Sequence, residues 1–195
     1  MSVKTCYLIG GAPLSCKTTL SNLWAAKHQA TQISTDSIRE WMKRLTRPED
    51  FPRLFYGSEL DVEAFYRLYD TPEKVMRGEI NQGYDVEKGI EAFLKCDLTI
   101  ERLIIEGIAI TPESALSIQK NFPNIQFEIT FLFDDDVERI TRRIYERGLW
   151  GPKDSYPDYI KDKEVDWVLL YNNFYATEAR KHKLPLVHID SLQSE

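Results

Sequence analysis

The residues best suited to chemistry lie near the start of the chain, in Gly10-Gly11-Ala12-Pro13-Leu14-Ser15-Cys16-Lys17-Thr18-Thr19. An apolar run, Cys6-Tyr7-Leu8-Ile9, leads into the glycines, and an apolar helical pattern follows. Strand, loop and helix in that order form the setting in which backbone N–H groups point inward and cradle phosphate oxygens. Gly11, Lys17 and Thr18 keep the spacing of G-x-x-x-x-G-K-[ST]. In that motif the lysine reaches the outer phosphates and the hydroxyl sits on Mg²⁺. The phosphate-contacting stretch is therefore Gly11, Ala12, Pro13, Leu14, Ser15, Cys16, Lys17, Thr18 and Thr19. One position departs. Cys16 stands where the second glycine belongs, and a side chain there crowds a backbone that must approach phosphate closely. A thiol at a helix N-terminus beside a lysine is also open to oxidation.

Two acids end apolar runs. Asp36 follows Gln32-Ile33-Ser34-Thr35 and reads as a helix N-cap. Arg39 comes one turn later, so both heads can face one cleft. Glu106 follows Leu103-Ile104-Ile105 and precedes Gly107. The carboxyl end of a buried parallel strand lies in the ligand crevice of an open α/β sheet. A third group is cationic: Arg139, Arg143 and Arg147 share a helical stripe, with Arg142 beside it, and together suit an anion. Asp134-Asp135-Asp136 reads as the cap of that helix rather than as a metal site.

The elements that must position these groups alternate. Strands are expected over 3–9, 32–35, 101–107, 125–133 and 184–190. Helices are expected over 17–28, after Asp36, after Thr111-Pro112, over 137–147 and over 165–181. In the first helix Leu20, Leu23, Trp24 and Lys27 are spaced for one inner face. Residues 47–98 carry helical periodicity without a strand and read as a helical substrate-binding insert. Its aromatics read mainly as core, with Arg53, Tyr56, Arg67 and Arg77 as candidates to face a substrate. The Gly- and Pro-containing segment 148–158 reads as a lid-like loop. The whole, 1–195, is an α/β domain with a parallel sheet.

Composition narrows the classes. With 195 residues, 43% of them hydrophobic, the chain can bury a core. A formal net charge of −6 argues against a general nucleic-acid binder. Three cysteines (Cys6, Cys16, Cys96) make no CxxC pair, which fits a reducing, cytoplasmic setting. The first strand begins at once, so no signal peptide is expected, and no run approaches a membrane span. His28, His182 and His188 suggest neither a nucleophile nor a metal site.

On the loop, on Ile33-Ser34-Thr35-Asp36-Ser37-Ile38-Arg39 and on Ile105-Glu106-Gly107, the chain resembles the P-loop small-molecule kinases: shikimate, gluconate and adenylate kinases and their relatives. It looks most like the 2-phosphoglycerate kinase and zeta-toxin-like branch. The resemblance implies a three-layer P-loop nucleoside triphosphate hydrolase fold with strand order 2-3-1-4-5. It also implies ATP and Mg²⁺, and transfer of the γ-phosphate to a hydroxyl or phosphate of a small, anionic molecule. By the same resemblance Lys17 holds phosphates, Thr18 binds Mg²⁺, and Asp36 or Glu106 holds the ion through water. Asp36 orients or deprotonates the acceptor, Arg39 clamps its anionic group, and arginines among Arg139, Arg142, Arg143 and Arg147 close over the phosphates. No Asn-Lys-x-Asp or Asp-x-x-Gly motif supports a GTPase, and Glu106-Gly107-Ile108-Ala109 stands where adenylate kinases carry Asp-Gly-Phe-Pro-Arg. A nucleotide-binding regulator and a nucleotide-sugar kinase are the alternatives. Oligomeric state is not readable.

Overall fold

The N-terminal apolar run forms β1 (Thr5–Gly11), and its alternate side chains enter two different cores. Tyr7 and Ile9 pack with Leu20, Ile104 and Leu132 on one side of the sheet. Cys6 and Leu8 pack on the other with Leu103, Ile105, Ile129 and Phe131. A strand buried on both faces must be apolar at every position, which is why the run is continuous rather than alternating. The chain is seen in a computed structural model, which describes residues 3–96 and 99–193. Asp97 and Leu98, the end of the expected 47–98 insert, lie outside the described residues.

The remaining elements follow in chain order. They are α1 (Lys17–His28), β2 (Thr31–Ser34), α2 (Thr35–Leu45), α3 (Val62–Leu68), α4 (Pro72–Leu94), β3 (Arg102–Glu106) and α5 (Pro112–Asn121), then β4 (Gln126–Phe133), α6 (Val137–Arg147), α7 (Asp158–Lys181) and β5 (Leu186–His188). All five strands are parallel, in the order β2-β3-β1-β4-β5. The expected fold class and strand order therefore hold. On one face α1 covers the sheet. On the other, α7 packs against β1, β4, α4 and α6, with Val168, Tyr171 and Tyr175 fully buried. Between β2 and β3, as expected, the described chain is entirely helical and turned. Among the described residues no helix is long and apolar enough to cross a membrane.

Four local readings change. Ser34, not Asp36, caps α2: the Ser37 N–H donates to Ser34 Oγ at 3.1 Å. β2 thus ends one residue earlier, and Asp36 falls in the first helical turn with its carboxylate released from capping. On α1, Leu20 is buried but Leu23 is 58% exposed and Lys27 faces water. The small Ser21 is buried instead, and the inner stripe runs through 20, 21 and 24. α7 begins at Asp158 rather than 165, since Ile160 is as deeply buried as the later apolar residues. β5 is cut to three residues, and Ile189–Gln193 turns into a 3-10 helix. The capping expected of the Asp triplet is seen at Asp136, which accepts from the Arg139 N–H at 2.9 Å at the start of α6.

Candidate active site

Register brings the scattered acids together. Glu106 pairs with Ile9 on one side and Ser34 on the other, so the carboxyl ends of β1, β2 and β3 lie level. The loop Ala12–Cys16 leaves β1 at that edge, Asp36 starts α2 there, and Glu106 closes β3 there. Gly107 lets the chain turn away. Its φ is +150°, and a Cβ at this position would collide with Thr35 Oγ1.

The stretch expected to bind phosphate divides into lining and support. Leu14, Ser15, Cys16, Lys17, Thr18 and Thr19 wall a small cradle together with Arg143 and Arg147. Gly11 and Ala12 are buried beneath it. The Ala12 carbonyl ties the loop by accepting from Lys17 Nζ at 2.7 Å and from Ser15 Oγ at 2.8 Å. Cys16 adopts the left-handed conformation, φ 61° and ψ 21°. That is the physical reason for a glycine at this place in the motif, and the cysteine occupies it under strain. Lys17 is nearly buried, and desolvation lowers its ammonium to about 8, with Glu106 and Asp36 acting in the opposite sense.

A second, larger cleft of about 430 Å³ opens from the cradle. Lys17, Thr18, Asp36, Arg39, Glu106 and Arg147 all line it. The Thr18 hydroxyl donates to Glu106 Oε1 at 3.2 Å. Burial raises the Glu106 carboxyl, while Lys17 and the Thr18 hydrogen bond pull it back. Asp36 Oδ1 lies 3.0 Å from Arg39 Nη1. Hydroxyl and carboxylate oxygens at one cleft edge suit a hard cation such as Mg²⁺. Among the described residues no group of three or more His, Cys, Asp or Glu side chains is arranged to hold a metal. An ion here would take its remaining ligands from phosphate and water.

The arginine stripe splits. Arg143 Nη1 donates to the Leu14 carbonyl at 2.8 Å and lies 3.8 Å from Cys16 Sγ. Arg147, one turn on, reaches both cradle and cleft. Arg139 is not brought to the loop. It forks onto buried Asp134 at 2.6 and 2.9 Å and reaches Asp190 at 2.7 Å. Arg142 is exposed and lines neither space.

The chain is similar to 2-phosphoglycerate kinases. It is 28% identical over 194 residues to that of Methanopyrus kandleri, covering 94% of this chain and 56% of the relative. It is 26% identical over 194 residues to that of Pyrococcus horikoshii, covering 96% and 60%. The chain thus spans little more than half the length of the curated relatives it matches. Among solved structures, TT1252 from Thermus thermophilus superposes with a TM-score of 0.51 at 18% identity, over 96% of this chain and 89% of that one. That likeness concerns the fold. No family model matches the chain. The resemblance to P-loop small-molecule kinases read from the loop therefore extends along the whole chain.

Several cleft residues were not legible as such. Glu79 on α4 lines the cleft, as do Phe65, Tyr66, Trp150, Glu164 and Trp167. Phe65 and Tyr66 are core residues by burial, as the aromatic reading of the helical insert expected, and Trp167 on α7 is buried too, yet all three also line the cavity. Desolvation pushes the Glu79 carboxyl up to about 7 against the pull of Arg39. Nothing in the helical periodicity of 73–94 singles it out. Arg53, Tyr56 and Arg77 line a separate groove of the helical segment, away from Lys17, and Arg67 lines neither space.

Proposed function

We propose that this chain transfers the γ-phosphate of ATP to a hydroxyl of a small molecule. The observation that carries this reading is one continuous cleft lined by Lys17 and Thr18 of the loop together with Asp36 and Arg39 of α2. The relatives named 2-phosphoglycerate kinase support it, and that acid is the first acceptor to try.

Loop N–H groups, Lys17, Arg143 and Arg147 hold the phosphates and meet the charge that spreads over the transferring group. Thr18, with Glu106 or Asp36 behind it through water, would hold Mg²⁺, which would supply neutralisation of phosphate charge. Arg39 steers the acceptor and Asp36 takes its hydroxyl proton. The acceptor oxygen then bonds to the γ-phosphorus, the bond from that phosphorus to the β–γ bridging oxygen breaks, and ADP departs with the electron pair. Segment 148–158 serves as the lid over the cleft and keeps water from competing as acceptor.

The test is ADP formation from ATP and Mg²⁺ with and without 2-phosphoglycerate and simpler hydroxy compounds. Asp36→Asn is expected to abolish acceptor-dependent ADP release while leaving nucleotide affinity within about threefold, because the base acts on transfer and not on ATP binding. Full transfer by that variant would remove Asp36 from the base role. ATP binding without turnover on any acceptor would favour a nucleotide-binding regulator.

A further inference from the structure

The acceptor side of the cleft is short of cations. Of the three that line the cleft, Lys17 and Arg147 also wall the phosphate cradle, which leaves Arg39. Arg39 is already engaged by Asp36 at 3.0 Å and by Glu40 at 3.3 Å. Two further carboxyls, Glu79 and Glu164, line the same cleft, and Glu79 is near enough to feel the Arg39 charge. Among the described residues neither makes an ion pair, and Glu79 has no hydrogen-bond partner. Glu164 is fully buried, held by the Tyr156 hydroxyl at 2.8 Å and the Trp150 N–H at 3.3 Å.

The rest of this wall is aromatic. The Phe65 ring lies 4.7 Å from that of Trp150 and 5.1 Å from that of Tyr66, and Trp150 and Tyr66 are 6.4 Å apart. Trp167 Nε1 donates to the Tyr66 hydroxyl at 2.8 Å, so its ring is fixed beside them. Aromatic faces attract a cation within about 6 Å of their centroids, and a carboxylate in the same pocket adds to that attraction. An acceptor with two anionic groups would meet only one shared guanidinium and two carboxyls. Like charges brought together in a desolvated cleft repel strongly.

We propose that the acceptor carries a cationic amino group, received by Glu79 and the rings of Phe65, Tyr66, Trp150 and Trp167, while Arg39 holds at most one anionic group. This rests on the phosphotransfer reading above, for it names the class of hydroxy compound that reading requires.

The experiment is a calorimetric titration of the whole chain with choline, a hydroxylated quaternary ammonium, and in parallel with 2-phosphoglycerate, each with and without Mg²⁺ and ADP. Choline is expected to bind saturably, and at least tenfold more weakly to both Glu79→Gln and Trp150→Ala, with 2-phosphoglycerate binding more weakly than choline. A melting curve of each variant shows that it is folded. Tighter binding of 2-phosphoglycerate, absence of choline binding, or choline affinity unchanged in both variants would each overturn the proposal. Failure of ADP to bind, with choline binding intact, would instead sink the phosphotransfer reading.

Discussion

The hydroxyl of Thr18, at the start of α1, donates to Glu106 Oε1 at the end of β3, 3.2 Å away and 88 positions along the chain. This bond joins the phosphate loop to the acid that precedes Gly107. Thr18→Val is expected to weaken Mg²⁺-dependent ATP binding by roughly tenfold or more while ATP binding without the ion changes little, since the substitution removes an oxygen and leaves the loop amides. Nucleotide titrations with Mg²⁺ and with a chelator check this. Equal losses under both conditions would make the hydroxyl a structural link only.

Arg139 and Arg143 share a helical stripe and both approach Asp134, at 2.6 and 3.6 Å, but only Arg143 also reaches the loop. Arg139→Ala leaves the carboxylate of Asp134, 1% exposed, without its forked partner, and is expected to destabilise the fold by about 3 kcal/mol. Arg143→Ala frees the Leu14 carbonyl and removes a cation from the cradle. It is expected to lower turnover roughly a hundredfold or more, with little change in melting temperature. Thermal melts read beside ATP turnover separate the two. A turnover loss from Arg139→Ala larger than its stability loss explains would return that arginine to the site.

Cys16→Gly should relieve the left-handed strain and stabilise the chain by about 1 kcal/mol, a rise of roughly 2–4 °C in melting temperature. It should also tighten ATP binding if the side chain crowds the phosphates. Peroxide should inactivate the wild type faster than this variant, because Cys96 is far along the chain at the end of α4 and Cys6 is sealed in the core.

Glu79 gives a pH signature. Its folded-state carboxyl titrates near 7, above the ordinary value of 4.5, because burial outweighs the pull of Arg39 and Lys43, and Asp36 adds to the rise. The folded state therefore binds the proton more tightly. Stability falls as pH rises from about 4.5 through 7, and the burial penalty is fully present above that range. Glu79→Gln is expected to be more stable than the wild type at pH 8, by on the order of 2 kcal/mol, with the difference gone near pH 4. Melting curves across that range test it, and a difference independent of pH would exclude the titration.

Much of this architecture follows from sequence-local physics. The continuous apolar strands, the G-x-x-x-x-G-K-[ST] spacing that Cys16 interrupts, and the acids at strand ends each rest on periodicity or backbone chemistry within a few residues. Those features alone pointed to a parallel α/β sheet with a candidate phosphate loop at the carboxyl edge of β1, and Asp36 and Glu106 beside it. Tertiary packing decided the rest. The reach of Arg139 to Asp190, 51 positions away, and the cleft wall of Glu79, Trp150 and Glu164 depend on which distant elements meet. A helix's periodicity reports that one face is buried. It does not report whether that face lies against a core or against a cavity, because the same apolar spacing satisfies both.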